Sequence, residues 1–211
     1  MGIPVMILGE SGSGKSTSMR NFEPEELGIF NVASKPLPFR KKLLKADGAT
    51  YKTIISSLSS PKLKTYVIDD SQYLMAFEMF EKAKEKGYEK FTDMALHFKG
   101  LIDFVVKKTP PDVIVYFLHH TEKTELGIKA KTVGKMLDDK LTIEGLFSIV
   151  LRTRVENGKY FFLTQTDGTD TVKSPMDMFE RQIDNDLKFV DETIREYWDL
   201  KTKNNVEKEN K

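Results

Sequence analysis

The 211-residue chain has no cysteine, which removes disulfides, thiolate nucleophiles and cysteine-ligated zinc from its chemistry. Histidine is scarce as well. Only three are present, with no acidic residue spaced to complete a zinc site, so a metal is expected only in company with a ligand. Charge of one sign is missing too. Lys and Arg number 33 against 32 Asp and Glu, a net charge of +1, so no global field draws the protein to nucleic acid or membrane, and any such contact must be local. No apolar run approaches the roughly 20 residues that cross a bilayer, and the first residues lack a charged start followed by a signal-length apolar core. A soluble intracellular protein is therefore expected. The length suits one α/β domain with a full core over residues 1–200. The remaining "KTKNNVEKENK", residues 201–211, is polar with little to bury and is expected to be disordered.

What is present begins with "VMILGESGSGKSTSMRNF". An apolar segment of strand length, Pro4 to Leu8, runs into three glycines, and Ser16 to Phe22 can continue as a helix. Glycines at a strand-to-helix turn let backbone amides converge on one anion, which the following helix start also favours. Gly9-x4-Gly14-Lys15-Ser16 is the full P-loop pattern. It assigns Gly9, Glu10, Ser11, Gly12, Ser13 and Gly14 to the phosphate cradle, Lys15 to the β- and γ-phosphates, the Ser16 hydroxyl to Mg²⁺ and Thr17 to the α-phosphate side. ATP with Mg²⁺ is the expected ligand. The alternative is a Gly/Ser-rich turn that fits by chance.

Further along, "LGIFNVAS" reads as a second strand, "PLPFRKKLLKADGAT" as a turn and connection, and "YKTIISSL" as either strand or helix. "KTYVIDD" is a third strand, and two helical segments follow, separated by Gly87. Pro110-Pro111 stops the second, and "DVIVYFLHH" is a strand buried on both faces. "FSIVLRTRV" and "KYFFLTQT" flank Asn157-Gly158, a hairpin turn. Ser174-Pro175-Met176-Asp177 carries a serine cap, a proline at the first helical position and an acid three after the cap, which predicts a helix from there to Trp198. The sum is an α/β fold: a mostly parallel central sheet flanked by helices, with an antiparallel edge hairpin. Ligands bind at the carboxyl ends of such strands.

Two of those ends are polar. Asp69 has the position of the Walker B aspartate that holds Mg²⁺ beside Ser16, while Asp70 suits either polarising the attacking water or capping the next helix. In "VIVYFLHHTEK" one of His119 and His120 points toward the site, by strand alternation, and the other away. The inward one, taken as His120, can hydrogen-bond the γ-phosphate or water. The bland alternative is a histidine bonded to a backbone carbonyl.

"GESGSGKST", "YVIDD", the strand ending in histidine with a lysine-bearing loop, and "IDNDLKFVDETIREYW" together resemble phage-encoded AAA-family ATPases with a RecA-like core, a group that includes minimal Rad51-like phage recombinases. The resemblance reaches to about Leu200, and its specific part is the two Walker motifs. It implies a RecA-like P-loop fold, ATP and Mg²⁺, head-to-tail homo-oligomers, single-stranded DNA as partner, and a location in the host-cell cytoplasm. The loop "TEKTELGIKAKTVGKMLDDK" then supplies Lys123, Lys129, Lys131 and Lys135 to DNA phosphates, unless it is a solvated surface loop. Lys173, with Arg152 and Arg154 as alternatives, becomes the cation delivered to a neighbouring subunit's γ-phosphate, unless it is merely solvated. One departure stands out. The catalytic glutamate usual beside the Walker A strand is absent, and "FNVASKPL" offers Asn31 and Ser34 instead. Asp70 and Glu10 are the substitutes for water activation.

Three functions fit: a DNA-dependent ATPase of recombination or replication, a nucleotide-switched assembly or loader factor with weak hydrolysis, and a small nucleotide kinase. The kinase needs an arginine-rich lid, and the six arginines here are scattered.

Overall fold

The computed structural model describes residues 1–200 apart from 126, 135–136 and 138–140. The tail over 201–211 and Lys135 therefore lie outside the described residues.

Nine strands are found among the described residues, in a sheet of order β3-β2-β4-β5-β1-β7-β8-β9 with β6 paired to β5. They are β1 Ile3–Gly9, β2 Leu27–Asn31, β3 Leu44–Asp47, β4 Thr65–Asp69, β5 Ile114–Thr124, β6 Gly127–Ala130, β7 Ile149–Glu156, β8 Lys159–Leu163 and β9 Gln182–Asp184. From β3 to β7 the pairing is parallel, and β8 and β9 close the edge antiparallel. The expected α/β class, parallel sheet and edge hairpin are all present. Asn157 and Gly158 both take positive φ, 51° and 75°, as a two-residue turn matching strand twist requires.

β1 is the central strand because both its faces are apolar. Met6 and Leu8 pack with Phe117 and Phe98 on one side, Val5 and Ile7 with Tyr116, Leu187 and Ile194 on the other. The first face is covered by helices α1 Tyr51–Ser59, α2 Gln72–Glu81 and α3 Glu89–Lys108, the second by α4 Leu187–Tyr197 and a 3-10 helix, Ser16–Asn21. "YKTIISSL" resolves as helix. Thr50 and Thr53 form a capping box at its start, and Ile54 and Leu58, four apart, turn into the core.

Two expectations fail, each for a tertiary reason. The connection "PLPFRKKLLKADGAT" contains β3, an edge strand exposed at every position, whose place comes from main-chain pairing to β2 and leaves no alternation to read. No helix starts at Ser174. Met178 donates its N–H back to the Pro175 carbonyl in a turn, Asp177 takes φ 59°, and β9 then pairs with β8. Burial of Met178 and Ile183 in the second face outweighs the local cap signals. The helix begins instead at Leu187, where the Asp186 carboxylate accepts from the Lys188 and Phe189 N–H groups.

No helix among the described residues is long and apolar enough to cross a membrane.

Candidate functional site

β1, β5 and β4 lie side by side, with Gly9 opposite His120 and β4 ending at Asp69. Three polar strand ends thus meet at one edge, as the rule for open sheets requires. A pocket of about 230 Å³ opens there, lined by Ser11, Gly12, Gly14–Thr17, Lys35, Asp69, Asp70, His120 and Tyr160 among others.

The loop's glycines are conformational necessities at two points. Gly14 has φ 96°, and a Cβ there would sit 2.8 Å from the Tyr160 ring. A Cβ on Gly9 would lie 2.0 Å from Thr153 Oγ1 and 2.5 Å from Ser13 Oγ, since Thr153 donates to Ser13 Oγ at 2.7 Å and so ties the loop to β7. Lys15 is folded back, donating to the carbonyls of Gly9 at 2.8 Å and Glu10 at 2.9 Å. Burial lowers its pKa to about 8 against the opposing pull of Asp70 and Asp69. An anion entering the pocket restores the charge that burial penalises.

Ser16 Oγ donates to Asp69 Oδ1 at 2.8 Å. Burial raises the Asp69 pKa, only partly offset by the Ser16 bond. A half-buried hydroxyl and a buried carboxylate, both hard oxygen donors, suit Mg²⁺, which binds through one or two protein oxygens plus phosphates and water. No group of three or more His, Cys, Asp or Glu among the described residues is placed to hold a metal ion by itself.

Asp70 does not cap α2. Ser71 holds the N-cap position, without a side-chain cap bond. The Asp70 carboxylate instead accepts from Lys35 Nζ at 2.7 Å and from His120 Nε2 at 3.1 Å. Burial pushes its pKa up, but these two hydrogen bonds prevail and hold it at about 2. That makes it a feeble base and a firm anchor. The Lys35 ammonium also sits 5.0 Å over the Tyr73 ring, and Tyr73 lies 5.3 Å from the His120 ring. Asn31 builds this arrangement. Its Nδ2 donates to the Lys35 carbonyl and its Oδ1 accepts from the Lys35 N–H, so it shapes the turn that delivers Lys35. Glu10 points elsewhere, 65% exposed and 3.6 Å from Lys123.

The histidines divide as alternation requires, His120 lining the pocket and His119 fully buried. His119 Nε2 lies 2.8 Å from the Lys131 carbonyl and Nδ1 2.9 Å from Ser71 Oγ. A carbonyl can only accept, so Nε2 carries the proton and Ser71 donates to Nδ1. Burial lowers this pKa from 6.5 to about 4. The unfolded chain binds the proton near 6.5 and the folded chain only near 4, so the stability is whole above the first value and is lost as pH falls toward the second. The loss should be about 3 kcal/mol. His119→Gln, still able to donate to the Lys131 carbonyl, should flatten the acid limb of the urea-unfolding profile; an unchanged slope would assign acid sensitivity elsewhere.

The lysine-bearing segment is a β-ribbon rather than a loop from Thr121 to Ala130. Its second strand, β6, is fastened by Ile128 N–H to the Thr169 carbonyl and by Ala130 N–H to the Glu144 carboxylate. Lys123 and Lys129 sit on opposite faces, because Lys123 is paired with Ile128 and Lys129 with the adjacent Glu122. Lys129 contacts Glu122 at 3.2 Å, and Lys131 is exposed. Lys173 is not among the pocket's lining residues; its backbone exchanges two hydrogen bonds with Val150 near the start of β7. Arg152 is committed to the buried Asp170 at 2.7 Å, and Arg154 to Glu156. Sequence reasoning linked neither Lys35 nor Tyr160 to the site, since neither has a spacing that ties it to the P-loop.

No family model matches the chain, and no curated protein shows a significant sequence match to it.

Proposed function

We propose that the chain is a Mg²⁺-dependent P-loop ATPase with a RecA-like core. The observation that carries this reading is the meeting of Lys15, the Ser16–Asp69 pair and His120 from adjacent strands in one pocket. Lys15 exchanges its two carbonyl partners for β- and γ-phosphate oxygens, and Ser16 and Asp69 hold the cation. A cation held by these two side chains would supply the positive charge that offsets charge developing on the phosphates. His120, braced by Asp70, presents its ring at the γ-phosphate end and orients water or reads whether that phosphate is intact.

Hydrolysis is slow in this reading. The carboxylates lining the pocket among the described residues are Asp69 and Asp70, one committed to Ser16 and the other to Lys35 and His120, so neither is a free base. That favours a nucleotide-switched member of the type over a fast motor. A kinase is disfavoured, because no arginine lines the pocket among the described residues.

Single-stranded DNA is the proposed partner. The ribbon that bears Lys123 and Lys129, with Lys131 directly after it, is an extension of the strand carrying His120, and Lys123 meets Glu10 of the P-loop. Phosphates bound on that ribbon are thereby linked mechanically to the nucleotide. Assembly head to tail belongs to the same reading, since Lys173 lies away from its own pocket and reaches a γ-phosphate only in a neighbouring copy. The test is ATP turnover with and without single-stranded DNA. Stimulation that disappears when Lys123, Lys129 and Lys131 are replaced by alanine is expected; an unstimulated rate and no DNA retention would leave the ATPase without this partner.

Asp70→Asn tests the anchor. Asn tolerates the φ of 60° at this position, so the backbone is preserved while the grip on His120 loosens. Turnover should fall about tenfold or more with ATP affinity little changed, the mark of an interaction made in the transition state. Equal losses in affinity and rate would make Asp70 a binding group.

A further inference from the structure

Beside the phosphate loop lies a side chain that phosphate binding leaves unused. Asn185 directly follows β9, is 2% exposed, and is tied down by its backbone: the N–H donates to the Tyr160 carbonyl at 3.2 Å, and the carbonyl accepts from Arg20 at 2.6 Å. Its side-chain Oδ1 and Nδ2 are buried without any hydrogen-bond partner. Such a group carries a standing desolvation cost, which is accounted for when a ligand supplies the missing partners.

The position of this amide identifies the ligand part. A Cβ on Gly14 would lie 3.3 Å from Asn185 Oδ1, 3.4 Å from Nδ2 and 2.8 Å from the Tyr160 ring, so amide and ring together back the last glycine of the loop. Tyr160 is 44% exposed and lines the pocket with Lys15 and Thr17. It lies near the start of the antiparallel β8 while Asn185 directly follows β9, which puts both at the end of the sheet where β1 delivers the P-loop.

We propose that Tyr160 and Asn185 form the base subsite of the nucleotide pocket and that the Asn185 amide selects adenine. The inference rests on the P-loop reading and extends it to the base. The aromatic ring offers a stacking surface for any base. The amide sets one donor beside one acceptor, matching the N7 acceptor and N6 amino group of adenine, whereas guanine presents two acceptors, N7 and O6, along the same edge. Asn185 is 2% exposed and outside the pocket's lining, so base binding at this subsite requires the Tyr160 ring, 2.8 Å from the Cβ position of Gly14, to swing aside and open the amide to the base edge.

The test is calorimetric titration of the full chain with ATP, GTP and inorganic tripolyphosphate, for wild type, Asn185→Leu, the near-isosteric Asn185→Asp and Tyr160→Ser. Wild type should prefer ATP to GTP by about tenfold or more, the worth of one bidentate amide contact. Both Asn185 variants should lose that preference by weakening ATP alone, with tripolyphosphate binding unchanged. Tyr160→Ser should weaken ATP and GTP alike and spare tripolyphosphate. Equal weakening of all three ligands by the Asn185 variants would make the amide a prop for the phosphate loop and overturn the base assignment, as would wild-type binding of ATP no tighter than GTP or tripolyphosphate. Failure of the folded wild type to bind either ATP or tripolyphosphate would instead overturn the P-loop reading beneath it.

Discussion

Lys15→Ala should weaken ATP binding at least about a hundredfold, since a charge-assisted contact in a site with little water is worth about 3 kcal/mol. Two features sharpen the expectation. Lys15 is 6% exposed and burial already depresses its pKa to about 8, so its charge is held in the protein for a partner stronger than two carbonyls. Those carbonyls, of Gly9 and Glu10, gain access to water once the side chain is gone, so the fold should survive. Calorimetry on a variant whose melting temperature matches the wild type decides the matter. An unchanged dissociation constant would remove Lys15 from the phosphate site.

Asp69→Asn should divide binding from turnover. Asparagine keeps an oxygen for the Ser16 hydroxyl and the shape of the side chain but cannot offer a full negative charge to a divalent cation. ATP binding in the absence of Mg²⁺ should be unchanged or tighter, while Mg²⁺-dependent turnover should fall by about two to three orders of magnitude, the range seen when one electrostatic group of a reaction centre is removed. Stability should move the other way. Burial raises the Asp69 pKa, so its ionised form is penalised in the folded state at neutral pH, and the neutral amide escapes that penalty. A melting temperature equal to or above wild type, with turnover lost across a magnesium titration, is the expected pair of results; equal activity at every magnesium concentration would contradict the metal role.

The parts of the site that sequence alone conveyed are those whose chemistry is local. Gly9 to Thr17 is one contiguous segment, and Asp69 and His120 each terminate an apolar run, so strand ends could be read off and brought together by the sheet rule. Lys35 could not be found that way. It reaches Asp70 only because Asn31 clamps a turn and Ser34 adopts φ 55°, and side-chain bonding of that kind leaves no periodicity. Asn185 was hidden for a related reason. The segment from Ser174 carries the signals of a helix start, yet pairing of Gln182–Asp184 with β8 converts it to a strand, and only that conversion brings Asn185 against Gly14. β3 was illegible because an exposed edge strand depends on its neighbour's main chain and not on its own side chains.

The central claim is that the β1, β5 and β4 ends form a single site for a magnesium nucleotide. Calorimetric titration of the wild-type chain with a non-hydrolysable ATP analogue, in Mg²⁺ and again in excess chelator, tests it most directly. Saturation at one nucleotide per chain is predicted, with affinity falling about tenfold or more when Mg²⁺ is withdrawn, because Ser16 and Asp69 then lose their link to the phosphates. A folded chain showing no saturable binding in Mg²⁺, or the same affinity with and without the cation, would contradict it.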